Sequence, residues 1–308
     1  MMEVISKNND IYILDEKEFV PKNIFENGQA FRWDKVNNGY NIVAGKYFAH
    51  VRKLNESEVK SFGNYKDVVI IENGGTLDDY ESFWRNYFDM DRDYFKLRKS
   101  FMEMDDNLRK ACEFGVGLRV LKQDLLEMII SFIISANNQI PRIKSSIEKI
   151  CELVGDKIYS RDGKDYYAFP SLEQLSNLTE EVLTDYARVG YRAKYLINTI
   201  KMLKDNEVSL DKVRSLPYEE AHKELCKLQG VGPKVADCIL LFGDSRDEAF
   251  PVDTWVIKFM NEYYVDNVKS MKKIKEAGAK IFKDKAGLAQ QYLFFYAREN
   301  KVGVKKRG

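Results

Sequence analysis

Histidine and cysteine are both scarce in this chain of 308 residues. Two histidines, His50 and His222, are too few for a histidine-based zinc site and make a Ser–His–Asp catalytic triad a poor candidate. The cysteines have no metal-binding spacing, so they are expected to be reduced thiols. The four are Cys112, Cys151, Cys226 and Cys238.

Long apolar segments are absent as well. The sequence has no apolar run of membrane length, and Met1–Asp10 lacks the apolar centre of a signal peptide. We therefore expect an intracellular protein without a membrane partner. The chain has 44% hydrophobic and 31% charged residues, and it is long enough for two or three packed subdomains.

An excess of positive charge is also missing. Lysine and arginine number 49 and aspartate and glutamate number 48, which gives a formal net charge of +1. Proteins that bind nucleic acid usually carry a basic signature, so composition alone does not indicate DNA. Any positive charge for binding has to be local, in Arg188–Lys204, in residues 268–285 or in Lys305–Arg307. Each of these stretches could equally be an ordinary solvent-exposed face.

The most informative stretch is LQGVGPK, residues 228–234. Gly230 and Gly232 permit a turn that is too tight for side chains and that brings backbone N–H groups to the surface. Proline suits the first position of a helix, so Pro233 predicts a new helix whose open amino-terminal end points outward. Such an end attracts phosphate. The pattern therefore predicts a helical hairpin with a phosphate-binding tip.

Lys234 follows this turn directly, and Asp253 lies 19 residues further on, in a Pro-Val-Asp loop. An ordinary lysine pKa, near ~10.4, has to fall by about three units to give much free amine at neutral pH, which costs about 4 kcal/mol. Burial and a helix amino terminus are expected to lower it. The free amine is then a nucleophile, and a carboxylate can stabilise the positive charge that develops at the carbon it attacks. The alternatives are a solvated Lys234 and an Asp253 that only caps a helix beginning near Thr254.

Together these residues resemble the helix-hairpin-helix superfamily of DNA base-excision glycosylases. Within it, the pairing of Lys234 with Cys238 in GPKVADC resembles the 8-oxoguanine DNA glycosylases in particular. The resemblance implies that Lys234 attacks C1′ of a deoxyribose, expels the damaged base and forms a Schiff base, while Asp253 stabilises the sugar cation. It also implies an associated strand-cleaving lyase step.

The resemblance further bears on cofactors. No cofactor is required by lysine chemistry, and the chain has no carboxy-terminal cysteine cluster for the iron–sulfur centre of the endonuclease III branch. The family suggests instead a structural metal ion at the hairpin, beside a DNA phosphate. Its implied ligands are the backbone carbonyls of Cys226, Leu228 and Val231.

Residues 11–71 consist of short alternating segments broken by turn residues, which predicts an antiparallel sheet. Between two of these segments, residues 27–33 read NGQAFRW and resemble the family's Gly-Gln-Ser/Ala-Phe-Arg-Trp signature. The resemblance implies that the carbonyl of Gly28 accepts a hydrogen bond from N7–H of 8-oxoguanine, a proton that guanine lacks. A glycine permits this approach because it has no side chain. The alternative is a simple hairpin glycine.

From about Asp93 onward the pattern is helical, and Leu125–Asn137 predicts an almost wholly apolar central helix. The segment at its end, SANNQIPR, matches the family's loop that meets the DNA minor groove. The resemblance implies that Asn137 fills the gap left by the extruded nucleotide and that Arg142 contacts the orphaned partner base. The asparagines could also be helix caps and turn residues.

A predicted helix over Thr179–Arg188 ends at Gly190, and the segment beginning with Tyr191 and Arg192 opens the next helix. In the family, the matching tyrosine wedges into the base stack beside the lesion and the arginine helps to read the opposite base. Tyr191 could also be a core aromatic. Trp255 stands where the family often has a histidine, so the phosphate contact of that histidine is not carried over.

The last motif lies in residues 286–295. Helical spacing places Gln290 and Phe294 on one face, four residues apart. The resemblance implies that Gln290 hydrogen-bonds the Watson–Crick edge of the extruded purine, while Phe294 and Cys238 sandwich its rings. An amide matches a donor-and-acceptor edge, and stacking on an aromatic ring contributes about 1–3 kcal/mol. Without the resemblance, Phe294 would be a core residue and Gln290 a surface residue.

The sequence therefore predicts an α+β protein with an N-terminal antiparallel β-rich domain, residues 1–115, packed on helical domains, residues 116–308. The hairpin is expected at about 218–245 and the Pro-Val-Asp loop at 251–253. As a monomer, the protein should bind double-stranded DNA, flip out 8-oxoguanine opposite cytosine and excise it. Two alternatives remain, a glycosylase for alkylated or deaminated bases and a noncatalytic binder of DNA structure. The oxidised-purine pocket argues against the first, and Lys234 with Asp253 against the second.

Overall fold

The computed structural model describes residues 3–304, so the basic tail Lys305–Arg307 lies outside the described residues. Close to the amino terminus is a six-stranded antiparallel sheet with the strand order β1-β2-β6-β5-β4-β3. The predicted sheet is confirmed, and it extends from Glu3 to Glu72. Its strands are β1 Glu3–Lys7, β2 Asp10–Leu14, β3 Trp33–Val36, β4 Gly39–Ala44, β5 Tyr47–Lys53 and β6 Val68–Glu72.

Asparagines form two of the tight turns between neighbouring strands, β1–β2 and β3–β4. Asn8 and Asn9, between β1 and β2, have φ angles of 53° and 67°, and Asn37, between β3 and β4, has 47°. Asparagine adopts this left-handed conformation more readily than most residues with a side chain. One face of the sheet is buried, because side chains from β2, β4, β5 and β6 pack against Trp84 and Phe88 from the segment that follows the sheet.

Helices occupy most of the chain after the sheet, whereas α1 and α2 lie within the sheet region. Within residues 3–304, no helix is long and apolar enough to cross a membrane. The helices are α1 Pro21–Phe25, α2 Glu56–Val59, α3 Leu77–Asp79, α4 Arg85–Tyr87, α5 Tyr94–Met102, α6 Asp106–Phe114, α7 Leu125–Ser135, α8 Ile140–Val154, α9 Leu172–Leu175, α10 Glu180–Asp185, α11 Arg192–Lys204, α12 Leu210–Ser215, α13 Tyr218–Leu225, α14 Pro233–Gly243, α15 Thr254–Tyr263, α16 Met271–Phe282 and α17 Ala286–Asn300.

Helix α7 lies at the centre of the larger hydrophobic core. Its residues from Leu125 to Ile134 are all buried, and it packs against α8, α11 and α14. The predicted central helix is therefore confirmed. It ends at Ser135 rather than Asn137, because Ala136 leaves the helical conformation with ψ 118° and Asn137 is left-handed with φ 49°.

Helices α5 and α6 belong to this helical core. Leu97 and Phe101 of α5 and Leu108 and Cys112 of α6 are part of the same buried cluster as α7, and α6 packs along α17. Residues 94–114 thus follow the sheet in sequence but pack with the helices. The boundary between the two predicted domains at residue 115 stays a prediction.

A second, two-stranded hairpin formed by β7 Lys157–Arg161 and β8 Lys164–Tyr167 interrupts the helices. The prediction of a helical pattern throughout the chain after Asp93 is wrong here. Asp162 and Gly163 form the turn, with φ angles of 53° and 77°. Asp-Gly is a strong signal for a two-residue β-hairpin loop, so this signal could have revealed the hairpin. The hairpin packs on the main sheet, where Tyr159 stacks on Phe48 with 4.4 Å between ring centroids.

Candidate active site

Helices α13 and α14 form the predicted helical hairpin. Gly230 in its turn has a φ of +86°, and a Cβ there would lie 3.0 Å from the Tyr195 ring, so both conformation and space require glycine. Gly232 is the N-cap of α14 and is exposed, and a Cβ there would meet nothing within 4 Å. Helix α14 begins at Pro233, as predicted. Its exposed amino terminus carries unpaired N–H groups of the kind that bind phosphate.

Lys234, the second residue of α14, lines a small cavity with a volume of about 50 Å³. Its Nζ lies 5.4 Å from the centroid of the Phe132 ring. A cavity of this size holds a few water molecules but not a purine, so side chains of its wall have to move when a base enters. The cavity brings together all the predicted catalytic and base-pocket residues, because its other lining residues are Asn27, Gly28, Phe132, Cys238, Phe242, Pro251, Asp253, Gln290, Gln291 and Phe294.

The charge state of Lys234 depends on its neighbours in this cavity. Burial lowers the pKa of Lys234, but the Cys238 sulfur and the Asp253 carboxylate raise it by more, so the net pKa lies above its ordinary value. The expected lowering of this pKa is therefore wrong for the DNA-free protein. Burial raises the pKa of the Cys238 thiol, and the positive charge of Lys234 offsets part of that shift. Lys234 is consequently protonated at neutral pH before DNA binds.

Asp253 caps helix α15. Its Oδ1 accepts hydrogen bonds from the N–H groups of Trp255 and Val256, each at 2.9 Å. Asp253 thus has the capping role, which is compatible with the predicted catalytic role because Oδ2 accepts no hydrogen bond within residues 3–304. The cap holds the carboxylate rigidly at the cavity wall. Trp255 itself lies under Lys258, whose Nζ is 4.3 Å from the indole centroid.

Gly28 lies in the turn between α1 and β3 and has a φ of +89°. Its carbonyl accepts no hydrogen bond from any residue that the structure describes, so it is free for a ligand. The neighbouring Gln29, which the sequence reasoning did not single out, is fully buried and fixes the turn. Its Nε2 donates to the carbonyl of Arg119 at 2.7 Å, and its Oε1 accepts from the N–H of Leu121 at 2.7 Å. In the sequence, only the position of Gln29 inside the NGQAFRW motif indicates its importance.

Gln290 is only 4% exposed, which excludes the alternative prediction that it is a surface residue. Its Nε2 donates to the carbonyl of Pro251 at 3.3 Å, but its Oε1 is buried without a hydrogen-bond partner in the described chain. An unpaired buried acceptor costs about 1–3 kcal/mol and is rare without a ligand or water. Phe294 lies one helical turn later on α17 and is partly buried at the same cavity. The amide oxygen is therefore poised to accept a hydrogen bond from a ligand.

Two residues predicted to enter the base stack of DNA lie at the surface, Asn137 in the loop after α7 and Tyr191 at the start of α11. Asn137 is exposed and left-handed, with φ 49°, a conformation that asparagine tolerates and that often marks functional loops. The capping role falls to its neighbour, since Asn138 donates from Nδ2 to the carbonyl of Ile134 and accepts at Oδ1 from the N–H of Gln139. Tyr191 is 59% exposed, which excludes the core alternative.

The two candidate arginines are placed differently. Arg142 is exposed in the first turn of α8, and within residues 3–304 it makes no hydrogen bond or ion pair. Arg192 is buried, and its guanidinium donates to the carbonyls of Ala136, Asn137 and Val189. Arg192 therefore holds the loop after α7 in place, and most of its donors are already used on the protein. Its role in reading the opposite base stays a prediction.

The predicted metal site at the hairpin involves carbonyl oxygens only. The carbonyl of Leu228 accepts a hydrogen bond from the N–H of Val231 at 3.1 Å, which leaves it a second lone pair. Carbonyl oxygens suit hard cations, so Cys226, Leu228 and Val231 fit the expected type of ligand. Among the residues described, no cluster of histidine, cysteine, aspartate and glutamate side chains could hold a metal ion. The metal ion itself stays a prediction.

Comparison with known proteins shows which family the chain matches. Residues 11–129 match the family model of the N-terminal domain of 8-oxoguanine DNA glycosylase, and residues 130–284 match that of the HhH-GPD superfamily base excision DNA repair proteins. The N-glycosylase/DNA lyase OGG1 of Arabidopsis thaliana is 32% identical over 283 residues, which are 88% of this chain and 75% of that protein. The N-glycosylase/DNA lyase of Saccharomyces cerevisiae is 30% identical over 82% of this chain and 70% of its own length.

Solved structures agree with the sequence relatives. The 8-oxoguanine glycosylase/lyase of Clostridium acetobutylicum, in complex with double-stranded DNA containing cytosine opposite 8-oxoguanine, superposes with a TM-score of 0.89. It is 41% identical, and the match covers 98% of this chain and 99% of that one. The chain therefore belongs to the 8-oxoguanine DNA glycosylase family of the HhH-GPD superfamily.

Proposed function

We propose that this protein excises 8-oxoguanine from double-stranded DNA by attack of Lys234 on the sugar and then cleaves the strand by β-elimination. One observation carries the proposal: a single cavity is lined by a lysine amine, a carboxylate and two free base-recognition acceptors, the Gly28 carbonyl and Gln290 Oε1. A base inside the stack cannot reach such a cavity, so the nucleotide has to be flipped out. The expected partner is a duplex with cytosine opposite the lesion, the ligand of the related Clostridium structure.

The chemical step starts with the neutral amine of Lys234. Its lone pair forms a bond to C1′ while the bond from C1′ to N9 breaks, and the electron pair leaves with the base, which takes up a proton. Opening of the sugar ring then gives the Schiff base, and loss of a C2′ proton with departure of the 3′ phosphate cleaves the strand. Asp253 stabilises the positive charge that develops on the sugar during the first step. Its cap to α15 keeps the carboxylate in place without reorganisation.

Recognition of the base uses the opposite wall of the cavity. The Gly28 carbonyl accepts from N7–H of 8-oxoguanine, whereas guanine presents a lone pair at N7 and is repelled. Gln290 Oε1 accepts from the Watson–Crick edge of the purine, which satisfies its missing hydrogen bond. Phe294 and Cys238 lie on either side of the rings, and stacking on the phenyl ring contributes about 1–3 kcal/mol.

The remaining candidates hold the DNA. The exposed end of α14 at Gly230 and Gly232 binds a phosphate, with the hairpin carbonyls supplying ligands for a metal ion beside it. Asn137 fills the space of the extruded nucleotide and Tyr191 wedges into the base stack beside the lesion, and both residues are exposed. Arg142 contacts the orphaned base. The protein acts as a monomer, since every proposed group comes from one chain.

The two alternative functions leave several residues of the cavity without a role. A glycosylase for alkylated or deaminated bases needs neither a free carbonyl at Gly28 nor an unpaired buried oxygen at Gln290. A noncatalytic binder of DNA structure needs the hairpin, but it has no use for a lysine amine buried beside Asp253.

Incubation with duplexes that carry one 8-oxoguanine, uracil, alkylated base or guanine at the same position distinguishes these functions. Each reaction is run with and without sodium borohydride, which reduces a Schiff base to a stable cross-link. We expect excision and cross-linking with the 8-oxoguanine duplex only. Preferred excision of the alkylated base supports the first rival, and binding without a cross-link to any duplex supports the second.

A further inference from the structure

Helix α17 contacts the Gly28 turn at three points along one face. Gln291 donates from Nε2 to the carbonyl of Asn27 at 3.4 Å, and Arg298 donates from Nη2 to the carbonyl of Glu26. Between them, Phe294 approaches Gly28 itself, since a Cβ on that glycine would lie 3.7 Å from Phe294 Cε1. The three contacts come from residues 291, 294 and 298, which helical spacing places on one side.

Arg298 makes the strongest of these contacts. Its hydrogen bond to Glu26 is charge-assisted, whereas the amide bond from Gln291 is neutral and long. The guanidinium also lies 5.5 Å from the centroid of the Phe294 ring, within the range of a cation–π contact. Its Nη1 lies 3.5 Å from the Cβ position of Gly28. One side chain thus touches both the Gly28 turn and the aromatic wall of the base cavity.

The contacts leave one carbonyl of the turn free. Of the three consecutive carbonyls from Glu26 to Gly28, the first two accept from α17, while the third accepts nothing within the described residues. The Gly28 carbonyl shares a planar peptide unit with the N–H of Gln29, which donates to Asn27 Oδ1 at 3.1 Å, so this unit is held from the Gln29 side as well. The backbone that leads to the Gly28 carbonyl is therefore anchored to α17, the same helix that supplies Gln290 and Phe294.

We infer that Arg298 is a positioning residue that holds the Gly28 carbonyl in register with Phe294 and so sets the discrimination between 8-oxoguanine and guanine. The inference rests on the proposed function of the cavity. Arg298 does not touch the reacting atoms. Arg298 acts through Gly28 and Phe294. Its substitution should therefore impair recognition and excision of a base in the cavity and leave DNA contacts outside the cavity unchanged.

The test compares Arg298→Leu and Arg298→Lys with the wild type. Leucine keeps an apolar stem against Phe294 but removes the donor and the charge, whereas lysine restores a charged donor without the planar stacking surface. We expect Arg298→Leu to lower single-turnover excision of 8-oxoguanine about tenfold, the effect of one charge-assisted hydrogen bond. Arg298→Lys should recover part of that loss. The ratio of 8-oxoguanine to guanine affinity, measured in a Lys234→Gln background, should fall with the excision rate.

Binding to a duplex with a tetrahydrofuran abasic site distinguishes this positioning role from a general structural role. A general structural defect would weaken that binding. No base enters the cavity in that complex, so Arg298→Leu should bind it as the wild type does. Glu299→Gln is the matched control, because it removes the ion-pair partner of Arg298 but leaves the bond to Glu26. Unchanged discrimination in Arg298→Leu, or a parallel loss of abasic-site binding, overturns the inference. Failure of the wild type to excise 8-oxoguanine refutes the proposed function instead.

Discussion

The amine of Lys234 lies beside the sulfur of Cys238, four residues later on the same helix α14. The sulfur and the carboxylate of Asp253 raise the pKa of Lys234 above its ordinary value, against the effect of burial. The reactive form in the proposed mechanism is the neutral amine, so these neighbours hold Lys234 in its unreactive, protonated form. Cys238 thus has two proposed effects on excision: it stacks on the base, and it raises the pKa of Lys234.

Replacement of Cys238 by alanine should shift the pH profile of excision towards lower pH. The substitution removes one of the neighbours that raise the pKa of Lys234, whereas Asp253 and burial, which lowers the pKa, remain. The neutral amine increases about tenfold per pH unit below its pKa, so the rise in rate should begin at lower pH in the variant. Single-turnover excision of 8-oxoguanine across the neutral and alkaline range measures this shift.

The absolute excision rate of this variant should also fall, because alanine stacks less well on the base. The pH at which the rate rises does not depend on that loss. Cys112→Ala is the matched control, since Cys112 is equally buried but lies on α6 in the helical core. A Cys238→Ala profile with the wild-type midpoint would show that the sulfur does not control the proton on Lys234.

Lys234→Gln should abolish base excision and borohydride cross-linking while leaving lesion binding largely intact. Glutamine is close to lysine in length, but its amide is not a nucleophile. Gel-shift affinity for an 8-oxoguanine duplex, excision by the same preparation and the melting temperature together test this. Substantial excision by a folded Lys234→Gln variant would assign the nucleophile to another group.

Features that depend on neighbouring residues in the sequence could be predicted. Pro233 and Thr254 begin α14 and α15 as predicted, because proline and a preceding aspartate are local signals for a helix start. The prediction lacks the β7–β8 hairpin, although its Asp162-Gly163 turn is also a local signal, because it treats the whole chain after Asp93 as helical.

Features that depend on distant segments could not be predicted. The pKa of Lys234 is raised by Cys238, one helical turn later, and also by Asp253, which another loop brings to the cavity, so burial alone gives the wrong direction. The orientation of Arg192 depends on the carbonyls of Ala136 and Asn137, more than 50 residues away in sequence. The bond from Arg298 to Glu26 joins the two ends of the chain, and no spacing in the sequence indicates it.

The two hairpin glycines should respond differently to alanine. Gly232→Ala should fold as the wild type does, because the new Cβ meets nothing within 4 Å, but it should weaken DNA binding where the backbone approaches a phosphate. Gly230→Ala should be destabilised by about 1–3 kcal/mol, the usual cost of a strained conformation, since its φ is +86° and the Cβ crowds Tyr195. Melting temperatures and DNA affinity at fixed salt separate the two effects. Equal DNA affinity in Gly232→Ala and the wild type would remove the tip of α14 from the DNA interface.

Arg142 should make excision depend on cytosine opposite the lesion. It is exposed in the first turn of α8, where a cation opposes the helix dipole by roughly 0.3–1 kcal/mol, and it has no protein partner within residues 3–304 to offset this cost. An orphaned cytosine offers O2 and N3 as adjacent acceptors for the donor-only guanidinium, whereas adenine presents an N6 donor beside N1. A matched pair is worth about 1–3 kcal/mol of discrimination. Arg142→Ala should therefore weaken the preference, with Arg192 retaining part of it.

Single-turnover excision opposite cytosine, thymine, guanine and adenine, in the wild type and in Arg142→Ala, measures this preference. A contact to phosphate instead of the base would lower all four rates in parallel and leave their ratios unchanged, because phosphates carry no sequence information. Arg109→Ala controls for the loss of one exposed positive charge, since Arg109 is solvent-exposed on α6. Only a selective loss opposite cytosine, absent from Arg109→Ala, assigns the reading of the orphaned base to Arg142.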